Sequence, residues 1–120
     1  MWITGTADCI CTPSKNYELY SLSPSVCKYF INLVNASHCL FANATGLAYD
    51  LCVDTEFALG CGLDTYLTLR EQEKRVIEYS VPWLDWNLKG ITSNQAVINS
   101  QLETDKSNNI LTYQYVCKSS

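Results

Sequence analysis

Ser23-Pro24-Ser25-Val26-Cys27-Lys28-Tyr29-Phe30-Ile31-Asn32-Leu33-Val34-Asn35 is the stretch on which the fold turns. Ser23 suits a helix N-cap, and Pro24 suits the first helical position, where a missing N–H does no harm. Val26, Cys27, Phe30, Ile31 and Val34 then recur at helical spacing. The pattern predicts an amphipathic helix ending near Asn35, with Cys27 on its buried face.

Upstream, residues 8–12 read as a strand, in which Cys9 and Cys11 point to one side. Pro13-Ser14-Lys15-Asn16 is turn chemistry, and residues 17–20 read as a short extended piece. Residues 1–7 read as a loose N-terminus that leaves Trp2 to pack on a neighbour or to belong to an interface. Downstream, residues 38–41 read as a strand carrying Cys39. A second helix is expected over 44–58, with Leu47, Leu51, Cys52 and Thr55 inward and Gly60 past its end. Residues 65–69 and 76–81 read as strands. Between them, residues 70–75 read as a hairpin turn or short helix, although Glu71 and Arg75 would also suit a helix. Pro82-Trp83-Leu84-Asp85-Trp86 reads as a loop. Thr92 and Gln95 form a capping-box pattern ahead of a short helix. Residues 105–109 read as a polar turn and 110–117 as a closing strand.

This order predicts one α+β domain over residues 1–120. A mainly antiparallel sheet would carry two or three helices on one face, stapled by disulfides. The 120 residues are 48% hydrophobic and 17% charged, which suits a packed core rather than a disordered chain. Eight Lys and Arg against twelve Asp and Glu leave a charge of −4. That balance argues against a nucleic-acid partner, which needs clustered cations. The sequence has no apolar run of about 20 residues for stable membrane insertion.

Seven cysteines in this length point to an oxidised, secreted chain. Cys9, Cys11, Cys27, Cys39, Cys52, Cys61 and Cys117 are all disulfide candidates, and their number alone leaves connectivity open. Asn35-Ala36-Ser37 and Asn43-Ala44-Thr45 are glycosylation sequons and agree with secretion. Met1-Trp2-Ile3-Thr4-Gly5 has neither the basic start nor the apolar stretch of a leader. The chain therefore reads as a mature form with Met1 added for expression.

The residues for catalysis are sparse, and no enzyme activity, cofactor or metal is expected. His38 is the single histidine, so a two-histidine nuclease is excluded, and it reads as a strand-edge side chain. Oxidised cysteines are poor nucleophiles. Cys9-Ile10-Cys11 has the wrong spacing for a zinc knuckle. Asp50 and Asp54 read as a solvated helix face, and Gly60 and Gly62 do not make a phosphate loop. Trp83 and Trp86, near Tyr79, either fold into the core or offer an aromatic platform to a glycan or protein. With Arg70 and Arg75 they form the candidate partner surface.

The cysteine frame resembles one family. Cys9-x-Cys11 is followed by gaps of fifteen residues to Cys27, eleven to Cys39, twelve to Cys52 and eight to Cys61. With Cys11-Thr12 and Cys39-Leu40-Phe41, this resembles the killer-protein-six type of fungal killer toxin and related small secreted fungal effectors. The likeness covers residues 8 to about 62. The sequence departs from it in the long tail that carries Trp83, Trp86 and Cys117. The resemblance implies a sheet-and-helix sandwich, secretion, and action as a toxin subunit or host-directed effector, and it supplies no catalytic residue. It also implies bridges from Cys9 and Cys11 to Cys27 and Cys52. That leaves one of Cys39, Cys61 and Cys117 unpaired or joined to another chain as a dimer. The expected function is that of a fungal virulence effector binding a host-plant or partner effector protein. Its place would be the apoplast, with entry into host cells as an open extension. The alternatives are an antimicrobial killer-like toxin and a glycan-binding module using Trp83 and Trp86.

Overall fold

Cys27–Leu33 is a strand, and it organises the molecule. The computed structural model describes residues 1–41, 46–61 and 67–117. In chain order the elements are β1 (Trp2–Gly5), α1 (Pro13–Leu22), β2 (Cys27–Leu33), α2 (His38–Phe41), α3 (Leu47–Ala58), α4 (Leu69–Lys89), α5 (Ser93–Ser107) and β3 (Leu111–Cys117). The strands make one sheet in the order β1-β2-β3. β1 pairs parallel to β2, from Trp2↔Phe30 to Gly5↔Leu33. β3 pairs antiparallel to β2, from Cys27↔Cys117 to Leu33↔Leu111. The fold is α+β, as the element pattern implied.

The helix expected over 23–35 fails for a physical reason. The same apolar run also satisfies a period of two, and a strand covered on both faces reads as continuous hydrophobics. Tyr29, Ile31 and Leu33 are fully buried on one face, with Tyr79 of α4, Ile98 and Leu102 of α5, and Leu111 of β3. Phe30 points the other way, its ring centroid 5.3 Å from Tyr17 and 5.6 Å from Tyr20 of α1. Ser23 and Pro24 mark an end and not a start. Ser23 is the C-cap of α1 and is extended (φ −65, ψ 129), as the residue before a proline prefers. Lys28 then donates to the carbonyls of Tyr20 (2.8 Å), Ser21 (3.1 Å) and Ser23 (3.0 Å), satisfying acceptors that a helix C-terminus leaves open.

Several other expectations are corrected. The N-terminus is strand β1, with Trp2 edge-on to Tyr20 at 5.7 Å, rather than a loose tail. Residues 8–12 are a loop held by Asp8, whose Oδ1 accepts the N–H groups of Ile10 (3.0 Å) and Cys11 (2.6 Å). Residues 13–22 are helix α1, not a turn and an extended piece. Residues 38–41 are a helical turn, not a strand. Of the strand expected at 65–69, residues 65 and 66 lie outside the described residues, and Leu69 opens α4.

α4 is 21 residues of helix: of the two readings for 70–75 the helix holds and the hairpin does not, and the strand expected over 76–81 and the loop after it are replaced. A capping box starts it: Glu71 N–H donates to Thr68 Oγ1 (3.3 Å), and Thr68 N–H donates to Glu71 Oε2 (3.0 Å). Gly90, left-handed at φ 72, ends it. Pro82 removes one helical hydrogen bond, but the caps and the buried inner face sustain the helix through it. α3 ends as expected at Gly60 (φ 78), with a Schellman pair from Cys61 N–H to Glu56 C=O and Gly60 N–H to Phe57 C=O. Its inner face is different. Leu47 and Leu51 are exposed, and Glu56 is buried, because its Oε1 accepts the His38 N–H (2.8 Å) at the start of α2. α5 is the helix expected after Thr92, although the Thr92 side chain makes no capping bond. It runs on to Ser107 and so absorbs three of the five residues of the expected polar turn. Buried Asp105 ties it to α4, accepting from Arg75 (3.0 Å), from Gln101 (3.1 Å) and from the Tyr79 hydroxyl.

Three disulfides form: Cys9–Cys61, Cys27–Cys117 and Cys39–Cys52. The free cysteine is Cys11, which is exposed. The pairing implied by the resemblance is therefore not the one adopted. Cys9 and Cys11 sit in a loop and share no strand face, and Cys27 lies directly across the ladder from Cys117, with 4.0 Å between their Cα atoms.

Candidate binding surface

The polar residues around His38 serve the loop that they hold. His38 Nδ1 lies 3.0 Å from Oδ2 of Asp8, and the same carboxylate fixes the 8–11 turn through its other oxygen. Glu56, fully buried, holds the backbone of His38. Cys11 is in this turn, with its thiol at the surface. Asp50 and Asp54 stand exposed on α3. None of the three cavities below is lined by His38, Asp8, Glu56 or Cys11. Among the described residues there is no cluster of three or more His, Cys, Asp or Glu fit to hold a metal.

α4 supplies the most developed surface, because it is apolar on two sides. Gln72, Val76, Tyr79, Trp83 and Trp86 turn towards the sheet. Ile77, Val81, Leu84 and Leu88 turn outward, 59%, 49%, 42% and 77% exposed. Their steps of four, three and four residues make a heptad seam of the kind that receives another helix. Beside the seam runs an apolar trough between α4 and the edge made by β1 and α2. One cavity of about 370 Å³ is lined by Met1, Ile3, Phe41, Val76, Ser80, Trp83 and Leu84. A second, of about 240 Å³, shares Phe41 and Val76 and adds Leu40, Glu73 and Ile77. The α2 wall is clamped in place by fully buried Gln72, whose amide accepts from Ser37 N–H (3.1 Å) and donates to Ser37 C=O (2.9 Å).

The four residues read as a partner surface separate on α4. Trp83 and Trp86 are half-buried and packed on the core, Trp86 edge-on to Tyr29 at 6.4 Å between centroids. Trp83 also lines the trough, and its buried Nε1 has no hydrogen-bond partner among the described residues. Arg75 is bound to Glu78 (3.1 Å) and Asp105 (3.0 Å), whereas Arg70 is exposed. The residues that sequence reading missed are Phe41, Ile77, Val81, Leu84 and Leu88. Their helical spacing was visible, but the β-formers of 76–81 and Pro82 masked it. On the far side of α4, a cavity of about 340 Å³ with a mixed lining is formed by Val34, Asn35, Leu67, Glu71, Lys74, Arg75, Asn109 and Ile110. Asn35 is exposed at its edge. Asn43, the other sequon, lies outside the described residues.

No protein-family model, curated protein or solved structure matches this chain.

Proposed function

We propose that this is a secreted, disulfide-stapled protein that works by binding another protein, without catalysis, through the seam and trough of α4. The observation that carries this reading is the exposed Ile77-Val81-Leu84-Leu88 seam beside an apolar trough. The occupant that suits it is an amphipathic helix of the partner, whose apolar side chains would enter at heptad spacing. The rim carries both signs, with exposed Lys74 and Lys89 beside Glu78 and Asp85, which favours a helix of mixed charge. Three disulfides support an oxidising, extracellular setting. The cysteine-frame resemblance extends the reading to a fungal effector, with a host-plant or companion effector protein as partner. A covalent dimer, where one forms, joins through Cys11.

The test is capture from host extract followed by direct binding of the identified protein. Wild type should retain one partner, and the Val81→Asp/Leu84→Asp variant should lose it while melting as before. Retention of the partner by that variant would overturn the surface assignment. Growth inhibition of fungi, or retention on chitin, with no protein captured would favour the antimicrobial or the glycan-binding reading.

A further inference from the structure

We propose that Asn35 is an N-glycosylation site that is open only while the chain is being made, and that the first sugar of its glycan seats in the cavity of mixed lining beside α4. The proposal rests on the secretory reading above, and the test supplies entry to the pathway, so the two can fail separately.

In the folded chain Asn35 holds a left-handed turn at φ 60. Its N–H donates to Thr6 Oγ1 (2.8 Å) and its C=O accepts the Leu67 N–H (3.0 Å). Both backbone groups are engaged, and the exposed amide Nδ2 is the group left to react. The rest of the sequon is shut away. Ala36 is fully buried, packed so closely on Gly5 that a Cβ there would lie 2.1 Å from the Ala36 carbonyl oxygen. Ser37 is 1% exposed and pinned at N–H and C=O by Gln72. A transferase must reach the Ser hydroxyl as well as the Asn amide, so the native sequon is no substrate.

The elements that close it come late. Gln72 follows Ser37 by 35 residues. β2 has its β3 partner only once Cys117 is made, 117 − 37 = 80 residues after Ser37. At about 5–20 residues per second the sequon stays open for roughly 4–16 s of synthesis. In that window the Asn35 Nδ2–C1 bond forms from a lipid diphosphate-linked oligosaccharide. The C1–O bond to the diphosphate breaks, the lipid diphosphate leaves with the electron pair, and Nδ2 gives up one proton. On folding, Asn35 carries the first N-acetylhexosamine to a cavity of about 340 Å³ that presents Glu71, Lys74 and Asn109 to its hydroxyl and amide groups.

The full chain, behind a heterologous secretion signal in a glycosylating yeast, tests this. Peptide mapping after amidase release should find Asp at position 35, and the S37A variant should keep Asn there. Unmodified Asn35 in the secreted wild type would overturn the site. Unglycosylated chain folded from bacteria, given transferase and lipid-linked donor, should remain bare, while the reduced and alkylated chain is modified. Equal modification of both would overturn the ordering. In an N43Q background, trimming to a single N-acetylglucosamine should leave a higher melting temperature than the bare chain has. An equal or lower one would overturn the seating.

Discussion

Replacing Gln72 by leucine isolates the clamp that fixes the α2 wall of the trough. The side chain is fully buried, and its amide is the hydrogen-bond partner of both backbone groups of Ser37, itself 1% exposed. Leucine fills a similar volume but leaves one N–H and one C=O buried and unpaired. Each costs about 1–3 kcal/mol, so roughly 2–6 kcal/mol in all. The greater apolar burial of leucine offsets about 1 kcal/mol. The expected net loss is therefore about 3 kcal/mol. For 120 residues the unfolding entropy is roughly 0.25 kcal/mol/K, so the melting temperature should fall by about 12 °C. Urea unfolding with an unchanged m-value measures the loss directly. Ser37→Ala is the control: the clamp runs through the Ser37 backbone, so this variant should stay within about 1 kcal/mol of wild type. A Q72L loss below about 1 kcal/mol, or an S37A loss as large as that of Q72L, would refute the reasoning.

Other perturbations probe separate parts of the molecule. The C27S/C117S variant opens a closure with a sequence separation of 90, and chain entropy puts its cost at about 4.6 kcal/mol, read from urea unfolding. Single Ile77→Asp or Leu88→Asp changes on the exposed seam should shift stability by no more than about 0.5 kcal/mol and still weaken partner binding, compared by calorimetry. The hydrogen bond from Tyr113 to Glu103 pushes the Tyr113 phenol up to about 12. Because the folded value lies above the unfolded one, this contribution is complete below pH about 10 and is lost as pH rises towards 12. Burial raises Tyr20, Tyr29 and Tyr79 as well, so phenolate absorbance against pH should show several late-titrating tyrosines, one of which moves down in Glu103→Gln; a curve unchanged by that variant would contradict it.

Much of the scaffold was legible locally. Cysteine content, the α3 helix with its Gly60 stop, the helix after Thr92 and the Leu111–Cys117 strand all follow from signals within a few residues. The surface was legible only in part. Trp83 marks the trough, but Ile77, Val81, Leu84 and Leu88 could be placed on one face only once 69–89 was known to be a single helix. The capping box at Thr68 and Glu71 was the available sign.

Cysteine-rich, α+β and acidic are properties of the chain itself, because composition and short-range patterning carry them. Residues 23–35 mark where that stops. Their apolar positions fit a period of 3.6 and a period of two, and propensity does not separate the alternatives. The strand wins because, in three dimensions, β1 and β3 supply hydrogen bonds on both edges while α1 covers one face and α4 and α5 the other. The same neighbours decide the disulfides: Cys27 meets Cys117 because the antiparallel register lays them side by side, a fact about distance in space that spacing along the chain does not carry.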